Sequence, residues 1–119
     1  MKDHYERFAE LAVRCACSWD DLVDKKLHRR HNDAMTRWHE LTKVMYATED
    51  RGAQIALRLL SHESERVRLS AGAYCLLAEV HEKEGRQILV QIRDHSDSGY
   101  LRLEAANCLI YCKPFSVSE

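Results

Sequence analysis

Proline occurs once, at Pro114, and glycine only four times in 119 residues. A chain so poor in helix breakers and turn formers is not one of many short strands joined by tight turns; it favours long helices. No apolar run approaches the ~18–20 residues a membrane span needs. The N-terminus, MKDHYERFAE, lacks the apolar core of a secretory signal. Charge of one sign is missing too: 18 Lys and Arg face 19 Asp and Glu, a net −1 with histidine neutral. That removes the bulk electrostatic argument for a dedicated nucleic-acid binder. There is no glycine-rich phosphate loop and no glycine-flanked nucleophile. None of the five cysteines makes a CxxC pair. An odd cysteine count without a secretion signal predicts reduced thiols in the cytoplasm, packed as small hydrophobes.

What is present is a unit that occurs twice between Ala53 and Lys113. The first copy reads AQIALRLLSHESERVRLSAGAYCLLAEV and the second RQILVQIRDHSDSGYLRLEAANCLIYCK. Ile55, Leu59 and His62 match Ile88, Ile92 and His95 at an offset of 33. Arg68, Leu69 and Ala71 match Arg102, Leu103 and Ala105 at an offset of 34. Two apolar helical segments per unit at this period predict a helical hairpin, which buries its apolar face only against stacked neighbours. The third helix is expected over about 50–61, started by Thr48-Glu49-Asp50. A fourth is expected over about 65–82, capped by Ser64. It has two apolar faces, one of Val67, Ala71, Tyr74 and Ala78, the other of Leu69, Ala73, Leu76 and Val80. A helix apolar on two sides is packed between neighbours. Gly85 reads as a stop. The fifth helix is then expected over about 86–93 and the sixth over 99–112, ended by Pro114.

Ahead of the repeat lie two amphipathic stripes at three- and four-residue spacing. Tyr5, Phe8, Ala12, Cys15, Trp19 and Leu22 predict one helix over 4–23, unbroken through the capping-box-like Ser18 and Asp21. Leu27, His31, Ala34, Trp38, Leu41 and Met45 predict a second over 27–46. The turn near Asp24–Leu27 is weakly marked, but a single helix of ~45 residues would be ~65 Å long and could not fold onto a small domain. The expected architecture is all-α: one domain over 1–119, with an N-terminal helix pair over 1–48, two helical hairpins over 49–113 and a tail over 114–119.

LRLLSHESERVRLSAGAYCLLAEV and IRDHSDSGYLRLEAANCLI resemble HEAT repeats: an apolar helix, a polar turn, then an Arg and an Ala-rich second helix. Asp94 and Arg102 stand where HEAT units carry an Asp and an Arg, whereas the first copy has Ser61 in place of the Asp. The resemblance implies a right-handed α-α superhelix of HEAT/armadillo type, with the first two helices as its N-terminal cap. With its YERFAELA start, the whole chain further resembles a family of small bacterial helical proteins known mainly as a domain of unknown function and found in polymorphic-toxin neighbourhoods. That resemblance implies a cytoplasmic immunity protein, which binds one cognate toxin domain (of contact-dependent growth inhibition or a related system) and blocks it.

The residues that might carry chemistry each have a plainer explanation. Arg68 and Arg102 recur because the repeat does, and are expected to bond turn carboxylates or carbonyls. His62 and His95 recur in turns that stack roughly 10 Å apart, too far to share a zinc ion, so they read as turn caps. Cys108 and Cys112 are four apart, and Cys15 and Cys17 two apart. Cys15 and Cys75 read as buried; Cys17, Cys108 and Cys112 as partly exposed. His28 and His31 have the spacing of a metal pair, yet no third ligand accompanies them or His39. Neither metal, cofactor nor catalytic residue is expected, and the chain reads as a non-enzyme.

Two surfaces remain for a partner. Between Lys25 and Lys43 six basic residues meet two acidic ones, Asp33 and Glu40. Arg29, Arg30 and Arg37 on this second helix are candidate contacts to an acidic protein or, together with Lys43, to nucleic acid. In solenoids the second helices commonly line the binding face. That nominates Arg66, Ser70 and Tyr74 on the fourth helix, and Tyr100, Glu104, Asn107 and Tyr111 on the sixth, as outward positions. Tyr and Arg are the types that dominate interface energy. The leading expectation is a toxin-neutralising binding protein. A nucleic-acid-binding helical repeat and a small adaptor or regulatory subunit are the alternatives.

Overall fold

The structure is a computed structural model that describes residues 2–15 and 25–117, with side chains over 2–15 and 32–116. Among the described residues it holds six α-helices, one short 3-10 turn at Phe115–Val117 and no strand. The helices are α1 (His4–Arg14), α2 (Lys25–Tyr46), α3 (Ala53–Leu59), α4 (Glu65–Ala78), α5 (Glu82–His95) and α6 (Gly99–Tyr111).

Local chemistry accounts for most of the ends. Asp3 caps α1, accepting from the Glu6 amide at 2.9 Å. Ser64 and Ser98 cap α4 and α6 in the same way, each accepting from the amide three residues on. The start of α3 departs from expectation. Thr48-Glu49-Asp50 forms a turn before the helix, and the helix begins only after the left-handed pair Arg51 and Gly52. Asp50 bonds the amides of Gly52 and Gln54, which together with the Thr48 hydroxyl holds its carboxyl below the usual range. α1 runs to Arg14 with Cys15 as its C-cap, whose amide bonds the Leu11 carbonyl; the remainder of the helix expected over 4–23 lies outside the described residues. Trp19, Leu22 and the Ser18–Asp21 pair lie outside the described residues.

α4 divides two cores. Its Val67, Ala71, Tyr74 and Ala78 pack with Phe8, Leu11 and Ala12 of α1, Trp38, Leu41 and Met45 of α2, and Leu59 of α3. Its opposite face sends Leu69 and Leu76 against Leu89 and Ile92 of α5 and Ala105 of α6. The two apolar faces expected of this helix are thus both covered. Val80 is the exception: α4 ends at Ala78 with Glu79 left-handed, and Val80 turns back to the first core.

Gly85 is not a stop. It lies inside α5, which starts at Glu82, and its smallness serves the crossing of α5 over α4. A Cβ there would come within 2.6 Å of the Cys75 Cβ and 3.1 Å of the Gly72 carbonyl oxygen. Gly85→Ala would gain about 0.8–1 kcal/mol of helix propensity, but separating the two helices costs about 1–3 kcal/mol. The overlap with a buried Cβ decides the sign. We expect a net loss of about 1–2 kcal/mol in a urea titration, against a gain if the helices were free to part.

The repeat is visible in the bonds. Nη1 of Arg68 donates to the His62 and Glu63 carbonyls at 2.7 and 2.9 Å. Nη1 of Arg102 donates to the Ser96 carbonyl, again six residues back, at 2.5 Å. Each Arg closes its own turn, as the repeat reading expects. His62 Nδ1 accepts from the Ser64 amide, but the equivalent bond in the second turn is made by the Ser96 hydroxyl to the Ser98 amide. His95 therefore does not repeat the role of His62; the register is already 34 at this point. Asp94 pairs with its neighbour Arg93 rather than with Arg102.

Candidate functional site

Because α6 repeats α4 at an offset of 34, positions Ser70, Ala73 and Leu77 are matched by Glu104, Asn107 and Tyr111. All six line one groove of about 400 Å³. Met35, Trp38 and His39 of α2 form its facing wall, and Cys15 closes the end next to α1. Of the ten residues nominated from the sequence, five meet here: Arg66, Ser70, Glu104, Asn107 and Tyr111.

The floor is charged and tied down. Arg66 is buried, not outward as expected. It pairs with Glu104 and donates from Nε and Nη2 to the Ala12 and Cys15 carbonyls at 3.3 and 3.5 Å. Those carbonyls are at the C-terminal end of α1, where the helix dipole favours a cation. One guanidinium thus joins α1, α4 and α6. Ser70 is likewise buried, so it shapes the floor rather than projecting from it.

The wall and rim are apolar and aromatic. Trp38 is buried, and its Nε1–H meets no acceptor among the described residues. His39 sits beside it, rings at 5.1 Å; partial burial, then the positive Lys43 one turn on, lower its pKa. Asn107 and Tyr111 are exposed on the rim.

Cys108 and Cys112 also line the groove, one turn apart. A hydrogen bond between them holds the Cys112 thiol below its ordinary pKa and pushes Cys108 above. Burial pushes Cys75 up to about 12. In a Cys17→Ser background we expect maleimide to label Cys112 first near neutral pH, with Cys75 unmodified until the protein unfolds. Mass mapping of the adduct checks this; first labelling at Cys75 would contradict the packing. Among the described residues, no group of three or more His, Cys, Asp or Glu is placed to hold a metal ion.

The other nominated residues lie elsewhere. Tyr74 is fully buried in the first core, where its hydroxyl donates to the Arg51 carbonyl at 2.7 Å and its ring meets Phe8 edge-on. Its assignment as an outward contact is overturned. Tyr100 is half-buried near the start of α6, away from the groove lining. Arg37 is exposed and pairs with Asp33 at 3.2 Å. It borders a broader concavity of about 1210 Å³ between α1, α2 and α3. There Glu10 holds Lys2 and Arg14, and Arg58 stacks on Tyr5 at 4.3 Å. The side chains of Arg29, Arg30, His28 and His31, and the whole of Cys17, lie outside the described residues.

Met35, Trp38 and His39 were missed as groove residues: Trp38 reads simply as core, and Met35 and His39 stand outside the apolar stripe of their helix. The offset of 34 was the available signal for the other wall: applied to Ser70, it reaches Glu104, and applied to Leu77, it reaches Tyr111. No helix among the described residues is long and apolar enough to cross a membrane. Comparison with models of known protein families, with curated proteins and with solved structures finds no match to this chain.

Proposed function

We propose that the chain is a non-enzymatic binding protein whose α2–α4–α6 groove takes a segment of a protein partner. The observation that carries this is the meeting of repeat-equivalent positions from α4 and α6 in one groove, with Trp38 opposite and Tyr111 on the rim. An apolar cleft with few, fixed polar groups suits an inserted side chain, and an exposed Tyr beside it suits a contact of high energy. The two hairpins are read as HEAT-like units of a right-handed superhelix, α1 and α2 as its N-terminal cap. The resemblance to small proteins of polymorphic-toxin neighbourhoods gives the partner: a cognate toxin domain, blocked by occlusion in the cytoplasm.

The test is to read the gene that neighbours this chain's, co-express any toxin domain it encodes and assay its activity; a neighbour that encodes none counts against the reading. Saturating wild-type chain is expected to silence the toxin, and a toxin that stays active ends the immunity reading. Tyr111→Asp should weaken the complex by about 30-fold, the effect of a ~2 kcal/mol contact. Being exposed, the residue should leave the fold intact. The nucleic-acid reading rests on Arg29, Arg30, Arg37 and Lys43; of these Arg37 borders the broader concavity, which Arg7, Arg14 and Arg58 share with Asp3, Glu10 and Glu40. It requires duplex binding at low salt that falls steeply as salt rises.

A further inference from the structure

Cys15, Cys108 and Cys112 all line the groove. Cys15 is buried, 2% exposed, while Cys108 and Cys112 are half-buried and within reach of a solute. These two are one helical turn apart, and the Cys112 amide still bonds the Cys108 carbonyl at 3.2 Å. Four residues of helix rise set their Cα atoms about 6 Å apart, inside the span that a disulfide bridges. The two thiols are close enough to share a hydrogen bond. In a regular helix, Cβ atoms one turn apart are about 5–6 Å from each other, against about 3.5–4.5 Å in a disulfide. Cys112, however, is the C-cap of α6, with ψ at 117°, already outside the helix. Closing the gap moves one terminal turn and leaves the core in place. A bond made against the spacing of its own helix is labile, formed under oxidation and readily reduced.

We propose that Cys108 and Cys112 are a redox site, joined reversibly by exchange with a small anionic disulfide such as oxidised glutathione. The reaction begins at Cys112. Its hydrogen bond with Cys108 holds its thiol below the ordinary pKa, which makes it the better nucleophile near neutral pH. The Cys112 thiolate attacks one sulfur of the reagent. The S–S bond of the reagent breaks, a mixed disulfide forms on Cys112, and the departing glutathione thiolate takes up a proton from water. Cys108 then resolves the mixed disulfide. In the reduced pair, the hydrogen bond to Cys112, burial and the charge of Cys112 hold the Cys108 thiol up. The first and last of these vanish once Cys112 is capped, while the positive Arg66 still favours the Cys108 thiolate. Cys108 gives its proton to solvent, and its sulfur attacks Cys112 Sγ and expels the second glutathione. Two protein thiols are oxidised, and one glutathione disulfide is reduced to two thiols. The lining suits an anionic reagent, since Glu104 is paired with Arg66 and the exposed Lys113 stands next to Cys112. Tyr111 lies within the turn that closes, so the bond moves the rim of the groove. The site does not depend on the partner proposed for that groove.

Incubating the full, folded chain with oxidised glutathione, then blocking free thiols and mapping tryptic masses, tests it. Cys108 and Cys112 fall on one peptide, 103–119, because trypsin does not cut the Lys113–Pro114 bond. That peptide is expected to lose the mass of two hydrogen atoms and to carry no glutathione, while the buried Cys15 and Cys75 stay reduced. Excess reduced glutathione should restore both thiols. Cys108→Ser should trap one glutathione on Cys112, and Cys112→Ser should leave Cys108 unmodified. Between the reduced and oxidised forms, the amide resonance of Tyr111 should shift and that of the core residue Tyr74 should not. In urea every cysteine should react, which shows that the selectivity belongs to the fold. A folded chain whose peptide 103–119 stays reduced overturns the proposal. One that keeps glutathione on Cys112 with Cys108 free overturns it equally, as does a bond that forms only in urea.

Discussion

Tyr74→Ala is expected to lower stability by about 4 kcal/mol, within the 3–5 kcal/mol of large aromatic truncations in a core. Tyr74 is completely buried in the first core, where α1, α2, α3 and α4 meet. Its ring packs edge-on against Phe8, centroids 6.1 Å apart. Its hydroxyl reaches the turn before α3, donating to the Arg51 carbonyl. Arg51 and Gly52 are both left-handed there, and a Cβ on Gly52 would lie 2.9 Å from that hydroxyl. Tyr74 therefore stabilises the core and pins an otherwise unfavourable turn. Burial raises its phenol pKa, in keeping with a hydroxyl that stays protonated and donates. Tyr74→Phe, which keeps the ring, should cost only about 1 kcal/mol, the net value of one hydrogen bond. Urea unfolding of both variants separates the contributions. A domain of this size holds about 5–15 kcal/mol in all, so the alanine variant loses a large share. A loss below about 1.5 kcal/mol would place Tyr74 outside a tightly packed core.

Glu104→Ala is the second large effect, about 3 kcal/mol, for a different reason. Breaking a buried ion pair by removing one partner typically costs 3–5 kcal/mol, because the other charge stays behind without compensation. The Arg66 side chain is 9% exposed and that of Glu104 25%. Arg66 keeps its bonds to the Ala12 and Cys15 carbonyls when the carboxylate is gone, which sets the expectation at the low end. Joint replacement, Arg66→Met with Glu104→Leu, should recover most of the loss, since apolar side chains of similar volume need no compensation. A double-mutant cycle in urea should give a coupling above about 1 kcal/mol that changes little with salt. A coupling near zero would mean that the pair behaves as a solvated surface contact.

These two residues show where reading along the chain succeeds and where it stops. Ser64 was legible as a cap because a cap is a contact within three residues; Ser98, its equivalent at an offset of 34, emerged as one only in the structure. The stripes of α2 and α4 were legible because helical periodicity is local. Gly85 was misread because glycine has two uses: it ends helices, and it lets helices touch. Its neighbours in sequence cannot say which applies; its neighbour in space, Cys75, does. The start of α3 was misplaced for a similar reason, since Thr48 and Asp50 serve equally well in a turn and in a cap.

Arg66, Ser70 and Tyr74 were assigned to an outer surface that α4 does not have. Periodicity identifies the inside of a helix by contrast with a polar outside. α4 is covered on two faces, so that contrast fails, and a long polar side chain such as Arg66 reads as exposed until the end of α1 is placed over it. The groove has the same origin. Trp38 belongs to one helix pair, and Ser70 and Tyr111 to two successive hairpins; the offset of 34 links the hairpins to each other, but no interval of sequence brings Trp38 to them. Helix number, the Ser64 cap and the repeat at offsets of 33 and 34 were written in the pattern along the chain, and the chain alone sufficed for them. Which polar groups are buried, and which surfaces face one another, follow from contacts between residues such as Ala12 and Arg66, 54 positions apart, which only packing in three dimensions brings together.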